Sequence, residues 1–231
     1  MRRASDVQPY ATRMKKLIFG KVRIKIVASP KERLSGTLYI IGVVQFVLCL
    51  IIAEALYEGY SINDNYVSDL GIGSSSIVFN LSVFLLGLLI FFGTYFLGNS
   101  SKIRTLRIFL FLMALGAMGV GVFTKDYTLA HGAVSSAAFF FGGLSAVASA
   151  FVMKRPLSWI SATLGVITLS ALVLFSLGIV MSGSMTSTIA FDSPLYLSLG
   201  PGGMERMIIY PAILWLALFG SHLAQTKSQN L

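Results

Sequence analysis

Charge is what this sequence lacks. Only 12% of its 231 residues are Asp, Glu, Lys or Arg, about half the roughly 25% usual in a soluble domain. Too few charged side chains remain to clothe a water-facing surface, so lipid has to cover much of the chain. Cysteine is scarcer still. Cys49 stands alone inside an apolar run, which excludes an internal disulfide and every Cys-rich metal motif. Soluble-enzyme signatures are missing as well: there is no phosphate loop ending in Gly-Lys-Ser/Thr, no His-Glu-x-x-His and no nucleophile elbow. No cofactor and no metal site are expected. No charged residue falls at mid-span, which argues against the buried ionisable path of a pump or ion-coupled transporter. The N-terminus also lacks a secretory pattern, because its basic region is too long and no small-residue cleavage site follows the first apolar run.

What the chain has is hydrophobicity: 55% of its residues are hydrophobic and the mean hydropathy is +0.80. A bilayer core about 30 Å thick takes about 20 apolar residues in a helix. Six stretches reach that length, at about 34–56, 77–97, 106–124, 132–153, 157–181 and 204–224. The expected fold is therefore all-α, a polytopic transmembrane bundle of six helices. Its expected parts are a basic arm at 1–33, the helical domain at 34–224 and a tail at 225–231. Glycines recur inside the spans, for example Gly116, Gly119 and Gly121 in the third and Gly142–Gly143 in the fourth, as expected where backbones pack closely.

The formal charge of +9 is concentrated rather than spread. Ten of the eighteen Lys and Arg residues fall between Arg2 and Arg33, and most of the others flank apolar runs. That distribution fits a topology signal and not a nucleic-acid groove. With the N-terminus inside, the inner segments hold sixteen basic residues, and only Lys125 and Arg206 lie outside. Glu54, Glu58, Asp64, Asp69, Asp126, Asp192 and Glu205 gather on the outer side. Both termini are thus expected in the cytoplasm of a multi-pass cell-membrane protein, with the arm resting on anionic inner-leaflet lipid. An alternating Lys-Val-Arg-Ile-Lys-Ile at 21–26 within the arm reads as a short strand or an interfacial segment.

Polar residues of interest gather at the predicted outer face. The loop Asn63-Asp64-Asn65-Tyr66-Val67-Ser68-Asp69 leads to the second span, and Asn80 lies just inside it. Lys125-Asp126-Tyr127 precedes His131 at the fourth span, and Gly200-Pro201-Gly202-Gly203-Met204-Glu205-Arg206 opens the sixth. The even-numbered spans begin there, presenting unpaired N–H groups and a partial positive charge. Gly202, Gly203 and Arg206 are candidates for holding an anionic headgroup, with Asp64, Asn65 and Asn80 beside them. His131 is the candidate proton carrier, oriented by Asp69 and Glu205. Each also has a structural reading: His131 as a helix-end cap, Asp64 and Asp69 in Asx turns, Asn80 in an interhelical hydrogen bond, and Arg206 paired to an outer carboxylate. His222 lies at the far end of the sixth span, about 30 Å of bilayer away from His131, so the two cannot share a haem. Tyr57, Tyr60, Tyr127, Tyr196 and Trp159 fit interfacial aromatic belts.

The run Asn65-Tyr66-Val67-Ser68-Asp69-Leu70-Gly71, then Val78-Phe79-Asn80 and Gly87, His131, Gly-Gly-x-Glu-Arg ending at Arg206, and Tyr210-Pro211 follow one another in a pattern that resembles the DUF998 membrane proteins. The resemblance covers about 35–224 and leaves out the basic arm. It implies a distant similarity to the six-span Frag1/DRAM/Sfk1 group and, through it, a role connected with lipid; fold alone does not fix function. The expected activity is recognition or modification of a lipid headgroup at an outer polar pocket. The alternative is a non-catalytic accessory subunit, paired with itself or with another membrane protein.

Overall fold

In a computed structural model of the chain, residues 29–181 and 193–225 are described. The basic arm with its 21–26 stretch, Asp192 and Lys227 lie outside them. Six long helices make up the described chain: α1 (Pro30–Leu56), α2 (Ser76–Phe96), α3 (Arg104–Val122), α4 (Thr128–Ala150), α5 (Leu157–Met181) and α6 (Gly200–Gln225). Short 3-10 turns at Val67–Gly71, Gly73–Ser75, Ser101–Ile103 and Pro194–Tyr196 join them, and no strand occurs among the described residues. Each of the six is long and apolar enough to cross a membrane. The protein is a multi-pass membrane protein.

Local chemistry sets the helix ends. Ser29 and Glu32 form a capping box: the Ser29 hydroxyl accepts from the Glu32 N–H at 3.2 Å, and the Glu32 carboxylate accepts from the Ser29 N–H at 2.8 Å. Pro30 then fills the first turn, where its missing N–H costs nothing. The helix thus starts four residues before the apolar run, and Lys31 and Arg33 stand within its first turn. In α6 Pro211 sits mid-helix and cannot donate to the preceding turn.

Neighbours in sequence are neighbours in space. Each helix packs on the next, and α6 closes the ring against α1 and α5, with a lesser contact to α4. Half of the most apolar window of α6 is buried, against 22% for α5, so α6 is the central staff and α5 the most peripheral. Trp215, Leu216 and Phe219 of α6 anchor the interior with Tyr39 of α1, all 3% exposed or less. Trp215 stacks on Phe219 at 5.7 Å and donates Nε1–H to the Ser149 hydroxyl at 2.8 Å.

Apolar burial drives little helix association where the solvent is itself apolar, so close backbone packing carries more of the load. The α1–α6 seam shows this. A Cβ on Gly36 would lie 2.7 Å from the Ala224 backbone nitrogen, and one on Gly220 would lie 2.8 Å from the Gly36 carbonyl oxygen. Gly87 likewise lets α2 touch the α3 backbone at Ala114 and Met118. Glycines 116 and 119 seat α3 on Val134 and Ala138 of α4, the close approach expected of them.

The up-and-down connectivity brings the C-terminal ends of α1, α3 and α5 together with the N-terminal ends of α2, α4 and α6. This loop end carries every candidate site residue.

Candidate functional site

The 57–75 connection folds back over the start of α6 and is held by its own polar side chains. Asp64 accepts from the Ser61 hydroxyl at 2.7 Å and from Asn63 Nδ2 at 3.0 Å. The Asn65 side-chain oxygen accepts from the Ser61 N–H at 2.9 Å. Asp69 accepts from the Tyr66 N–H at 2.9 Å, closing the Val67–Gly71 turn. Val67 and Leu70 of that turn are fully buried, which roots the loop in the bundle.

The first turn of α6 is clamped to this loop from below. Gly202 donates its N–H to the Asn63 carbonyl at 3.0 Å. A Cβ there would run into the Ile62 and Asn65 carbonyls, so only glycine fits. Arg206, 5% exposed, spreads its guanidinium over four acceptors. Nη1 donates to the Ile62 and Gly202 carbonyls at 3.1 and 3.0 Å. Nη2 donates to Glu54 Oε1 at 2.7 Å and to the Tyr60 hydroxyl oxygen at 2.6 Å. Burial pushes the Tyr60 hydroxyl up to about 12, against the opposing pull of Arg206. Tyr60 therefore keeps its proton, which it donates to the Tyr66 carbonyl at 3.3 Å. Glu205, 5% exposed, accepts the Val67 N–H at 2.5 Å.

A second cluster stands where α3 gives way to α4. Lys125 forms an ion pair with Asp69 and lies over the Tyr66 ring, 4.2 Å from its centroid. Burial raises the Tyr66 hydroxyl above its ordinary range, and nearby Tyr196, Glu205 and Asp69 add to the shift. His131, half-buried in the first turn of α4, has Nδ1 2.8 Å from the Phe123 carbonyl. A carbonyl only accepts, so Nδ1 carries the proton, and in the neutral ring Nε2 is an acceptor.

His131 and Glu205 meet at a cavity. It has a volume of about 300 Å³ and lies against α4 and α5. That volume sits at the lower edge of the about 300–1,000 Å³ typical of small-molecule sites. One end is polar, with Tyr66, Ser68, Lys125, His131 and Glu205; the flank toward α5 is mostly apolar, with Leu172, Phe175 and Ile179 around Ser176. A smaller apolar cavity of about 70 Å³ lies inside the ring among Phe46, Val83, Met113 and Ile209. Ser68, His131, Ser135, Phe139 and Glu205 line both, so they form the boundary between a polar mouth and an apolar interior.

The predicted site residues thus divide into two groups. His131 and Glu205 line the cavity, and Asp69 reaches it through Lys125. No hydrogen bond or ion pair joins Asp69 to His131 among the described residues; Asp69 orients the lysine and the loop. Arg206, Gly202, Asp64 and Asn65 bind the chain's own backbone and side chains, and Gly203 packs against Leu199. Asn80 donates to the Gly71 carbonyl at 3.0 Å, within its own hairpin rather than across helices, and its side-chain oxygen is buried without a partner. Tyr196, read as an interfacial aromatic, is 1% exposed. Glu54 as the carboxylate for Arg206 and Lys125 as the counterion of Asp69 were not assigned from sequence. The signal was available for Lys125, since only two basic residues sit at this end. Among the described residues no group of three or more His, Cys, Asp or Glu is arranged to hold a metal.

Neither the curated proteins nor the solved structures contain a match to this chain. A family model described as "Protein of unknown function (DUF998)" matches residues 40–222, from within α1 to the last turn of α6. That span reaches into all six helices and includes both polar clusters, and the chain belongs to the DUF998 family.

Proposed function

We propose that this protein recognises a membrane lipid by its headgroup, which enters sideways between α4 and α5. The observation that carries the reading is the cavity of about 300 Å³, polar around His131 and Glu205 and mostly apolar along α5. An amphiphile has the same division. A cavity against the most peripheral helix suits a ligand that arrives within the bilayer, not from water. His131 and Glu205 would touch the headgroup, while Arg206 holds the lid formed by the 57–75 loop. The cavity is proposed to lie at the extracytoplasmic face of the cell membrane, with both termini in the cytoplasm. Support comes from the basic residues, which crowd the opposite end and the N-terminal arm.

The test is lipid retention. Purified full-length protein, stripped in detergent, is analysed by native mass spectrometry against a Ser136→Trp variant, whose indole would fill the cavity. Wild type should keep one lipid per chain and Ser136→Trp should lose it at unchanged thermal stability. Equal retention by the two would overturn the reading.

A further inference from the structure

Resting on that reading, we infer that the headgroup is ammonium-bearing, with a primary amine as its deepest group. Two strong acceptors stand at the polar end of the cavity. Glu205 contributes its carboxyl group, and His131, with Nδ1 turned to the Phe123 carbonyl, contributes Nε2. Ser135 and Ser176 spend their O–H groups on the Gly132 and Leu172 carbonyls at 3.2 and 2.8 Å, leaving oxygen lone pairs. The cation in the lining, Lys125, is already neutralised by Asp69. Arg206, the other cation at this end of the described chain, turns its two terminal nitrogens to four acceptors and does not line the cavity. Six carboxylates face these two cations at the loop end of the described chain: Glu54, Glu58, Asp64, Asp69, Asp126 and Glu205. An anion entering here would have to compete with Asp69 for Lys125. A primary ammonium brings three donors and no acceptor, the complement of these acceptors.

The experiment compares three diacyl lipids at equal concentration on delipidated full-length protein, again by native mass spectrometry: phosphatidylethanolamine, phosphatidylcholine and phosphatidylglycerol. The ethanolamine lipid should be preferred over the other two by about tenfold, the scale of one or two charge-assisted hydrogen bonds. Choline keeps the charge without N–H donors, so its rejection depends on the acceptors and needs no variant to fold. Glu205→Gln should bring the ethanolamine and glycerol lipids to within about twofold of each other. Equal retention of all three lipids by wild type, blocked by Ser136→Trp, overturns the ammonium inference and leaves the lipid reading standing. Retention insensitive to Ser136→Trp overturns both. Displacement by water-soluble ethanolamine at the same molar potency as the lipid would overturn the lipid source.

Discussion

Arg206→Met tests whether the loop over the cavity is latched by a single side chain. Methionine keeps the length and apolar stem of arginine but removes its donors. Four acceptors then lose their partner: Glu54 Oε1, the Tyr60 hydroxyl oxygen and the Ile62 and Gly202 carbonyls. Removing one member of a buried ion pair costs about 3–5 kcal/mol, because the other charge stays behind unpaired. The Arg206 side chain is 6% exposed and that of Glu54 22%. Glu54 can therefore recover some hydration, so the lower figure, about 3 kcal/mol, is expected. Adding Glu54→Gln to Arg206→Met removes the stranded charge and should restore about 1–2 kcal/mol, a coupling that a double-mutant cycle isolates. Arg206→Lys should fall between, since a point charge cannot reach four acceptors in a fork. Steric-trap unfolding in detergent micelles measures all of these variants. Arg206→Met within about 0.5 kcal/mol of wild type, or no recovery with Glu54→Gln, would refute the latch.

Three further outcomes follow from other contacts. Gly87→Val should destabilise by about 1–3 kcal/mol in the same assay, because a Cβ there would lie 2.6 Å from the Met118 backbone nitrogen and 2.8 Å from the Ala114 carbonyl oxygen. Trp215→Phe should cost about 1 kcal/mol for the lost bond to Ser149, with helicity by circular dichroism unchanged. In cells, His131→Phe and Glu205→Gln should alter the membrane lipid profile by mass spectrometry more than Asp69→Asn, because Asp69 acts through Lys125. Profiles identical to wild type in all three would remove any chemistry from the site and leave binding alone.

Sequence reading worked where a single physical quantity decides. Apolar length located all six helices, and the glycines of α3 marked close packing because little else places so many small residues in a span. Boundaries slipped where polar residues belong to a helix. Pro30 opens α1 through the Ser29–Glu32 capping box, which a hydropathy reading passes over. Gly200-Pro201-Gly202-Gly203 looks like a flexible turn approaching a ligand. In the structure it is helix, and what it approaches is the 62–65 backbone. The site was legible only as an inventory. Topology put His131, Asp69, Glu205 and Arg206 at one end, but contacts between residues on different hairpins depend on loop conformation. That conformation gives Arg206 to Glu54 and Asp69 to Lys125. Arginine 206 therefore turns inward to brace the lid, while the smaller polar groups face the cavity.

The central claim is that six crossings leave the cavity on the face opposite the basic connections. Sided cysteine labelling tests it directly. In a Cys49→Ala background, Asp64→Cys in the 57–75 loop and Lys102→Cys between α2 and α3 are exposed to a membrane-impermeant maleimide on intact cells and on inverted vesicles. Asp64→Cys should label only on intact cells and Lys102→Cys only on inverted vesicles. Labelling of both from the same side would contradict it.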